Sequence, residues 1–139
     1  GVEGPDRTSL DQQYRETEAR YRRLVEHSDA IIFHSDPGQR ISFVSRRALD
    51  FFGVSPEDFL TEEGSSWVDF VHLDDQPRIR ALLEDPKVQK GGLDEEVRVV
   101  NRITGRVRWV LIRLVPALKR DGSVDGYDGF GIDITARRE

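Results

Sequence analysis

Trp109-Val110-Leu111-Ile112-Arg113-Leu114, a turn dipeptide at Asp121-Gly122 and then Gly126-Tyr127-Asp128-Gly129-Phe130-Gly131-Ile132-Asp133-Ile134-Thr135 stand near the end of the chain. The first run is rich in β-branched and aromatic residues and reads as a strand. Asp-Gly between two such runs is a strong short-range signal for a hairpin. The second strand then stops abruptly. Asp133 and Thr135 are both good helix N-caps, and Ala136-Arg137-Arg138-Glu139 would begin a helix. Gly126, Gly129 and Gly131 fall inside the strand, where glycine permits close backbone approach or a bulge rather than forming a phosphate loop ahead of a helix.

Working outward, three strands are expected in the second half: Asp94 to Asn101, Arg106 to Lys119 and Val124 to Ile132, joined at Thr104-Gly105 and Asp121-Gly122. Upstream, Asp29-Ala30-Ile31-Ile32-Phe33-His34-Ser35-Asp36-Pro37-Gly38 reads as a short strand entering a turn, and Ile41-Ser42-Phe43-Val44-Ser45 as a second strand. Short helices lie between: Arg46 to Phe52, a turn from Pro56 with Ser55 as N-cap, Ser66 to Phe70, and Asp74 to Leu83. Asp85-Pro86 ends the last of them, since the residue before proline is pushed out of helical geometry, and Gly91-Gly92 reads as a flexible joint. Two strands, then helices, then three strands predict an α+β fold, a five-stranded antiparallel sheet with its short helices on one face. Val97 and Val99 alternate with Glu96 and Arg98, but Ile31-Ile32-Phe33 and Val110-Leu111-Ile112 are apolar on both faces. Something therefore covers each side of the sheet.

Ser9 to His27 reads as an N-terminal amphipathic helix, with Ser9 and Gln12 at capping-box spacing. Leu10, Tyr14, Thr17, Tyr21 and Leu24 recur at steps of four and three, the seam of a two-helix coiled coil. Asp11, Arg15, Glu16, Glu18, Arg20, Arg22 and Arg23 flank it as a solvated face. About two heptads are too few to hold a dimer alone, so two roles stay open: a homodimer interface, or a helix folded back on its own sheet. In either, the helix touches the outer sheet face.

The 139 residues suit one domain with extensions, divided as 1–28, 29–135 and 136–139. The absence of Cys excludes disulfides, thiolate metal sites and cysteine nucleophiles. No run approaches the roughly 20 apolar residues of a membrane span, and the first residues lack a signal-peptide layout. A cytoplasmic location is the expectation. With a formal charge of -5 and interspersed signs, the electrostatic footprint of a nucleic-acid binder is missing. A chain that starts at Gly1 and contains no Met reads as a fragment of a longer protein.

These pieces together resemble a PAS domain over Asp29 to Thr135. The closing hairpin is similar to that of the family, Arg46-Arg47-Ala48-Leu49-Asp50-Phe51-Phe52-Gly53 resembles its first core helix, and Trp67-Val68-Asp69-Phe70-Val71-His72-Leu73-Asp74-Asp75 resembles the Trp-to-His-x-Asp-Asp segment of one large subfamily. Gly105-Arg106-Val107-Arg108-Trp109-Val110 resembles its middle hairpin. Ser45 stands where that family often has Asn and Leu73 where it often has Pro. The resemblance implies a sensory module rather than an enzyme, one that binds a small ligand or partner and relays a change through Asp133, Ile134 and Thr135 to a C-terminal effector such as a histidine kinase or cyclic-dinucleotide synthase. It also implies a cavity between helices and sheet, for which Ile31, Phe33, Val44, Phe52, Phe70, Ile79, Leu82, Val97, Val99, Leu114, Phe130 and Ile132 are the candidates. The other reading of the same residues is a filled core in a ligand-free dimerisation module. No cofactor is expected: there is no Cys for a flavin adduct and no His on the long core helix for haem.

Single residues add little chemistry. His72 beside Asp74-Asp75 has the residue types of a metal site, but an aspartate capping the following helix is the simpler reading. His34 reads as surface and His27 as a cation at a helix C-terminus. Glu57-Asp58, Glu62-Glu63, Asp74-Asp75 and Glu95-Glu96 are adjacent pairs that share no helix face, and all four read as solvated.

Overall fold

The computed structural model describes residues 12–13, 15–16, 19–20, 23, 29–61 and 66–138. Its elements run β1 (Ile31–Ser35), β2 (Ile41–Val44), α1 (Ala48–Phe52), α2 (Pro56–Thr61), a 3-10 turn (Trp67–Phe70), α3 (Gln76–Glu84), α4 (Pro86–Gly91), β3 (Leu93–Val100), β4 (Val107–Leu118), β5 (Val124–Asp133) and α5 (Thr135–Arg138). The strands form one antiparallel sheet in the order β2-β1-β5-β4-β3. The last strand thus lies at the centre, hydrogen-bonded to β1 on one side and β4 on the other. The β1–β2 hairpin supplies one edge and the β3–β4–β5 meander the other, and the helical segment between them crosses one face.

The register decides what faces the helices. Phe33 lies opposite Gly129, which lies opposite Leu114, and Ile31 lies opposite Gly131, which lies opposite Ile112. Because side chains alternate along a strand, β5 presents Tyr127, Gly129 and Gly131 inward and turns Phe130 and Ile132 to the other face. A Cβ at Gly129 would overlap Phe33 Cζ and stand 2.9 Å from Leu114 Cδ2. The flanking strands fill the space that β5 leaves.

The helices form where the sequence supplies their ends. Ser66 Oγ accepts from Val68 N at 3.2 Å to start the 3-10 turn. Asp85 both ends α3 and, by accepting from Lys87 N at 2.9 Å ahead of Pro86, starts α4. That second helix is absent from the sequence reading, where Asp85-Pro86 registered only as a stop. Gly92 then closes α4 with a φ of 94°, and a side chain there would collide with the Leu114 carbonyl. Ile31, Phe33, Ile41, Val44, Ala48, Phe51, Phe52, Phe59, Trp67, Val68, Phe70 and Ile79 join the inner residues of β3 and β4 in one buried core. The five seam positions Leu10, Tyr14, Thr17, Tyr21 and Leu24 lie outside the described residues. Gln12, Gln13, Arg15, Glu16, Ala19, Arg20 and Arg23 are helical and exposed.

Candidate functional site

Two places stand out, the interior beneath the helices and the point where β5 leaves the sheet. Of the twelve interior candidates, Ile31, Phe33, Val44, Phe52, Phe70, Ile79, Val97, Val99 and Leu114 are buried together, and Leu82 packs against them partly exposed. Phe130 and Ile132 are not among them. Both project from the outer face, Ile132 with 41% of its surface exposed and Phe130 under the Arg113 guanidinium at 5.6 Å. Counting apolar residues along β5 picks the wrong face, because the inward positions are glycines and carry no hydrophobic signal.

The brought-together residues are closely set. Phe52, Phe59 and Phe70 form a triad of rings with centroids 4.8 to 5.5 Å apart, and Phe33 lies 6.0 Å from Trp67. These are contact distances for aromatic rings. A small polar group interrupts the apolar interior. Gln39 Oε1 accepts from Trp67 Nε1 at 2.9 Å and from Ser35 Oγ at 3.2 Å. Gln39 is buried and sits at a φ of 70°, a left-handed conformation uncommon for a residue with a side chain. Ser45, in the position often held by Asn, is buried and accepts from Ile32 N at 3.0 Å, tying the end of β2 to β1.

The exit is pinned by backbone and side-chain bonds to a single residue of β4. Ile134 N donates to the Trp109 carbonyl at 2.8 Å, and Trp109 N donates to Thr135 Oγ1 at 3.0 Å. Asp133 Oδ1 accepts from Thr135 N at 2.9 Å, turning the chain into α5, while buried Ile134 anchors the turn from below. The Thr135 hydroxyl therefore faces back to β4 rather than capping the helix it opens. Burial works to raise the Asp133 carboxyl, but the Thr135 hydrogen bonds and the Arg108 and Arg106 charges outweigh it and hold the group below the ordinary aspartate range. Among the described residues Arg108 Nε is the one buried side-chain polar atom without a hydrogen-bond partner; it lies 3.9 Å from Asp133 Oδ2, with its guanidinium over the Phe51 ring at 5.0 Å.

Asp75 departs furthest from its sequence reading. Although it occupies the position preceding α3, its carboxylate makes no cap and is largely buried. Oδ2 instead accepts from Arg98 N at 2.9 Å and Nε at 3.1 Å, and Oδ1 from Arg98 Nη2 at 2.8 Å. The hydrogen bonds from Arg98 hold the Asp75 carboxyl below its ordinary range, against the opposing effect of burial. Neighbouring Asp74 stays in solvent, and its amide donates to His72 Nδ1 at 3.1 Å. His34 bonds Asp128 at 3.0 Å on the outer face. Among the described residues no group of three or more His, Cys, Asp or Glu side chains could hold a metal ion, and no helix is long and apolar enough to cross a membrane.

The family model described as the PAS fold matches residues 41–131. The chain belongs to the PAS family. Its five-stranded antiparallel sheet with several short helices is the PAS fold, and PAS domains are sensory rather than catalytic units. A methyl sulfide methyltransferase-associated sensor of Methanosarcina acetivorans is 33% identical over 89% of this chain. The chain spans 12% of the length of that sensor and 16% of a second curated relative. Among solved structures, a domain of a sensory box sensor histidine kinase/response regulator from Geobacter sulfurreducens is similar with 25% identity and a TM-score of 0.64, over 87% of this chain and 96% of the other. The N-terminal domain of a diguanylate cyclase with PAS/PAC sensor from Marinobacter aquaeolei gives a TM-score of 0.67 at 16% identity, over 80% of this chain and 100% of that one.

Proposed function

We propose that this PAS chain is the sensory module of a longer, cytoplasmic signalling protein, and that it relays a conformational change in its sheet through Asp133, Ile134 and Thr135 to a C-terminal effector such as a histidine kinase or diguanylate cyclase. The observation that carries the reading is the pinning of the exit on Trp109 by two hydrogen bonds of 2.8 and 3.0 Å. β5 is the central strand, so a change in twist on either side of the sheet reaches the residue from which α5 starts. The similarity to a sensor, and to domains taken from a histidine kinase and a diguanylate cyclase, supports the same direction.

Two inputs suit such a module. A small ligand between sheet and helices would bias two arrangements of the sheet by its difference in affinity between them. Alternatively, the module is ligand-free and aligns helices in a homodimer through Leu10, Tyr14, Thr17, Tyr21 and Leu24. The close-set phenylalanine triad and the filling of the Gly129 and Gly131 positions by β1 and β4 side chains favour the second input. So does the apolar outer face, where Phe43 and Ile132 are each more than 40% exposed. Native mass spectrometry of the purified chain reads both properties together. A concentration-dependent dimer without added mass supports helix alignment, and a stoichiometric extra mass supports a ligand. A monomer of bare mass at all concentrations counts against both inputs.

A further inference from the structure

The outer face holds a second connection to the exit, and it starts on α3. Asp75, the residue that precedes this helix, grips Arg98 of β3 with both carboxylate oxygens. The Arg98 guanidinium in turn lies 5.3 Å from the centre of the Trp109 ring, and that of Arg138, from α5, lies 3.9 Å from the same ring. Arg138 Nε is also 3.5 Å from Glu96 Oε1. From the first turn of α3, Arg78 donates to the Glu96 carbonyl at 3.0 Å and to Glu95 Oε2 at 2.8 Å. Two residues at the start of α3 therefore hold β3, and two outward side chains of β3 hold the indole and the arginine of the exit helix.

We infer that Asp75 and Arg98 are positioning residues that couple the start of α3 to the exit helix across the edge strand, with the Trp109 ring as the shared contact. A guanidinium over an indole face is attracted by the ring quadrupole, and the contact depends on where the guanidinium is held. Arg98 is held by a bidentate, charge-assisted pair, the geometry that fixes orientation as well as distance. A displacement of the α3 start moves Arg98, changes its contact with the indole, and alters the ring on which Arg138 rests. A helix on the inner face thereby reaches α5 by side chains alone, in parallel with the backbone bonds of Ile134 and Thr135. This coupling rests on the reading of α5 as the way out of the domain.

Amide hydrogen exchange at Ile134, Arg137 and Arg138 of this chain tests the coupling without an effector. Asp75→Asn and Arg138→Gln should each speed exchange at Ile134 by about fivefold, the factor that a contact of this kind makes in an opening equilibrium. The double variant should exceed neither single by more than about twofold, since both remove one connection. Arg113→Gln is the control: it removes a pair of 2.8 Å with Asp94 on the same two strands, and a contact with Phe130 of β5, but none of the contacts between Asp75, Arg98, Trp109 and Arg138. Should Asp75→Asn fail to fold, Arg98→Lys keeps a charge opposite Asp75 while giving up the flat contact, and it should show the same acceleration. Unchanged exchange at Ile134 in a folded Asp75 or Arg98 variant overturns the coupling, as does equal acceleration in Arg113→Gln or full additivity in the double variant. Such a failure leaves the proposed output untouched, because that is read from the effector.

Discussion

Asp74 and Asp75 are indistinguishable by type and neighbours, yet one is solvated and the other is the acceptor for three bonds from Arg98. The difference was illegible in the sequence because the partner lies 23 residues away, on a strand whose placement beside α3 depends on the whole fold. Helix capping is a local rule, and here a distant guanidinium outcompetes it. Asp75→Asn should lower stability by about 2 kcal/mol, since it weakens a largely buried, charge-assisted pair without creating a cavity. Urea denaturation at neutral pH measures this. The pH dependence has a definite sign. Asp75 and Asp133 are both depressed by folding, so their contribution is present above the unfolded aspartate value of about 3.9 and is lost as pH falls through the lower folded values. Stability is therefore expected to be level from pH 7 to 5 and to decline below about 4. The decline should be shallower in Asp75→Asn, and equal slopes would contradict this assignment.

Strand β5 shows what periodicity does and does not deliver. Its existence, its hairpin and its end were readable, because Asp121-Gly122 and the apolar run upstream are strong local signals. The face it presents was not. Gly129 and Gly131 occupy the inward positions, so the apolar pair Phe130 and Ile132 marks the outside. Gly129→Ala should destabilise by about 1 to 3 kcal/mol through overlap with Phe33 and Leu114. Combining it with Phe33→Leu should recover part of that loss, and thermal melts of the three variants compare them. No recovery would mean that the packing over Gly129 is not the cause. α4 went unread for a related reason: the residue that stops one helix also caps the next, and a stop signal hides a start. At the exit, Asp133 and Thr135, both good caps by residue type, divide the labour. Asp133 turns the chain and Thr135 ties it to Trp109. Thr135→Val keeps the shape and β-branching but removes the acceptor, and should loosen the junction by about 1 kcal/mol while leaving the sheet intact.

At the scale of the whole molecule, the fold class followed from order alone: two strands, a helical crossing and three strands admit few antiparallel arrangements with helices on one face. The strand order then places the last strand in the middle, and with it the exit. In the proposed relay, that placement is what would make a change in the sheet available to α5, whether it begins with a bound molecule, at a dimer interface or at the start of α3. In the proposed relay to an effector the link between Trp109 and Thr135 carries the change, and this is best tested in the full-length protein by assaying effector output for Thr135→Val beside the unchanged protein, with the domain's melting temperature measured in parallel. The account predicts an altered or unresponsive output from a domain that melts within a few degrees of the original. Normal, fully responsive output from that variant would contradict it.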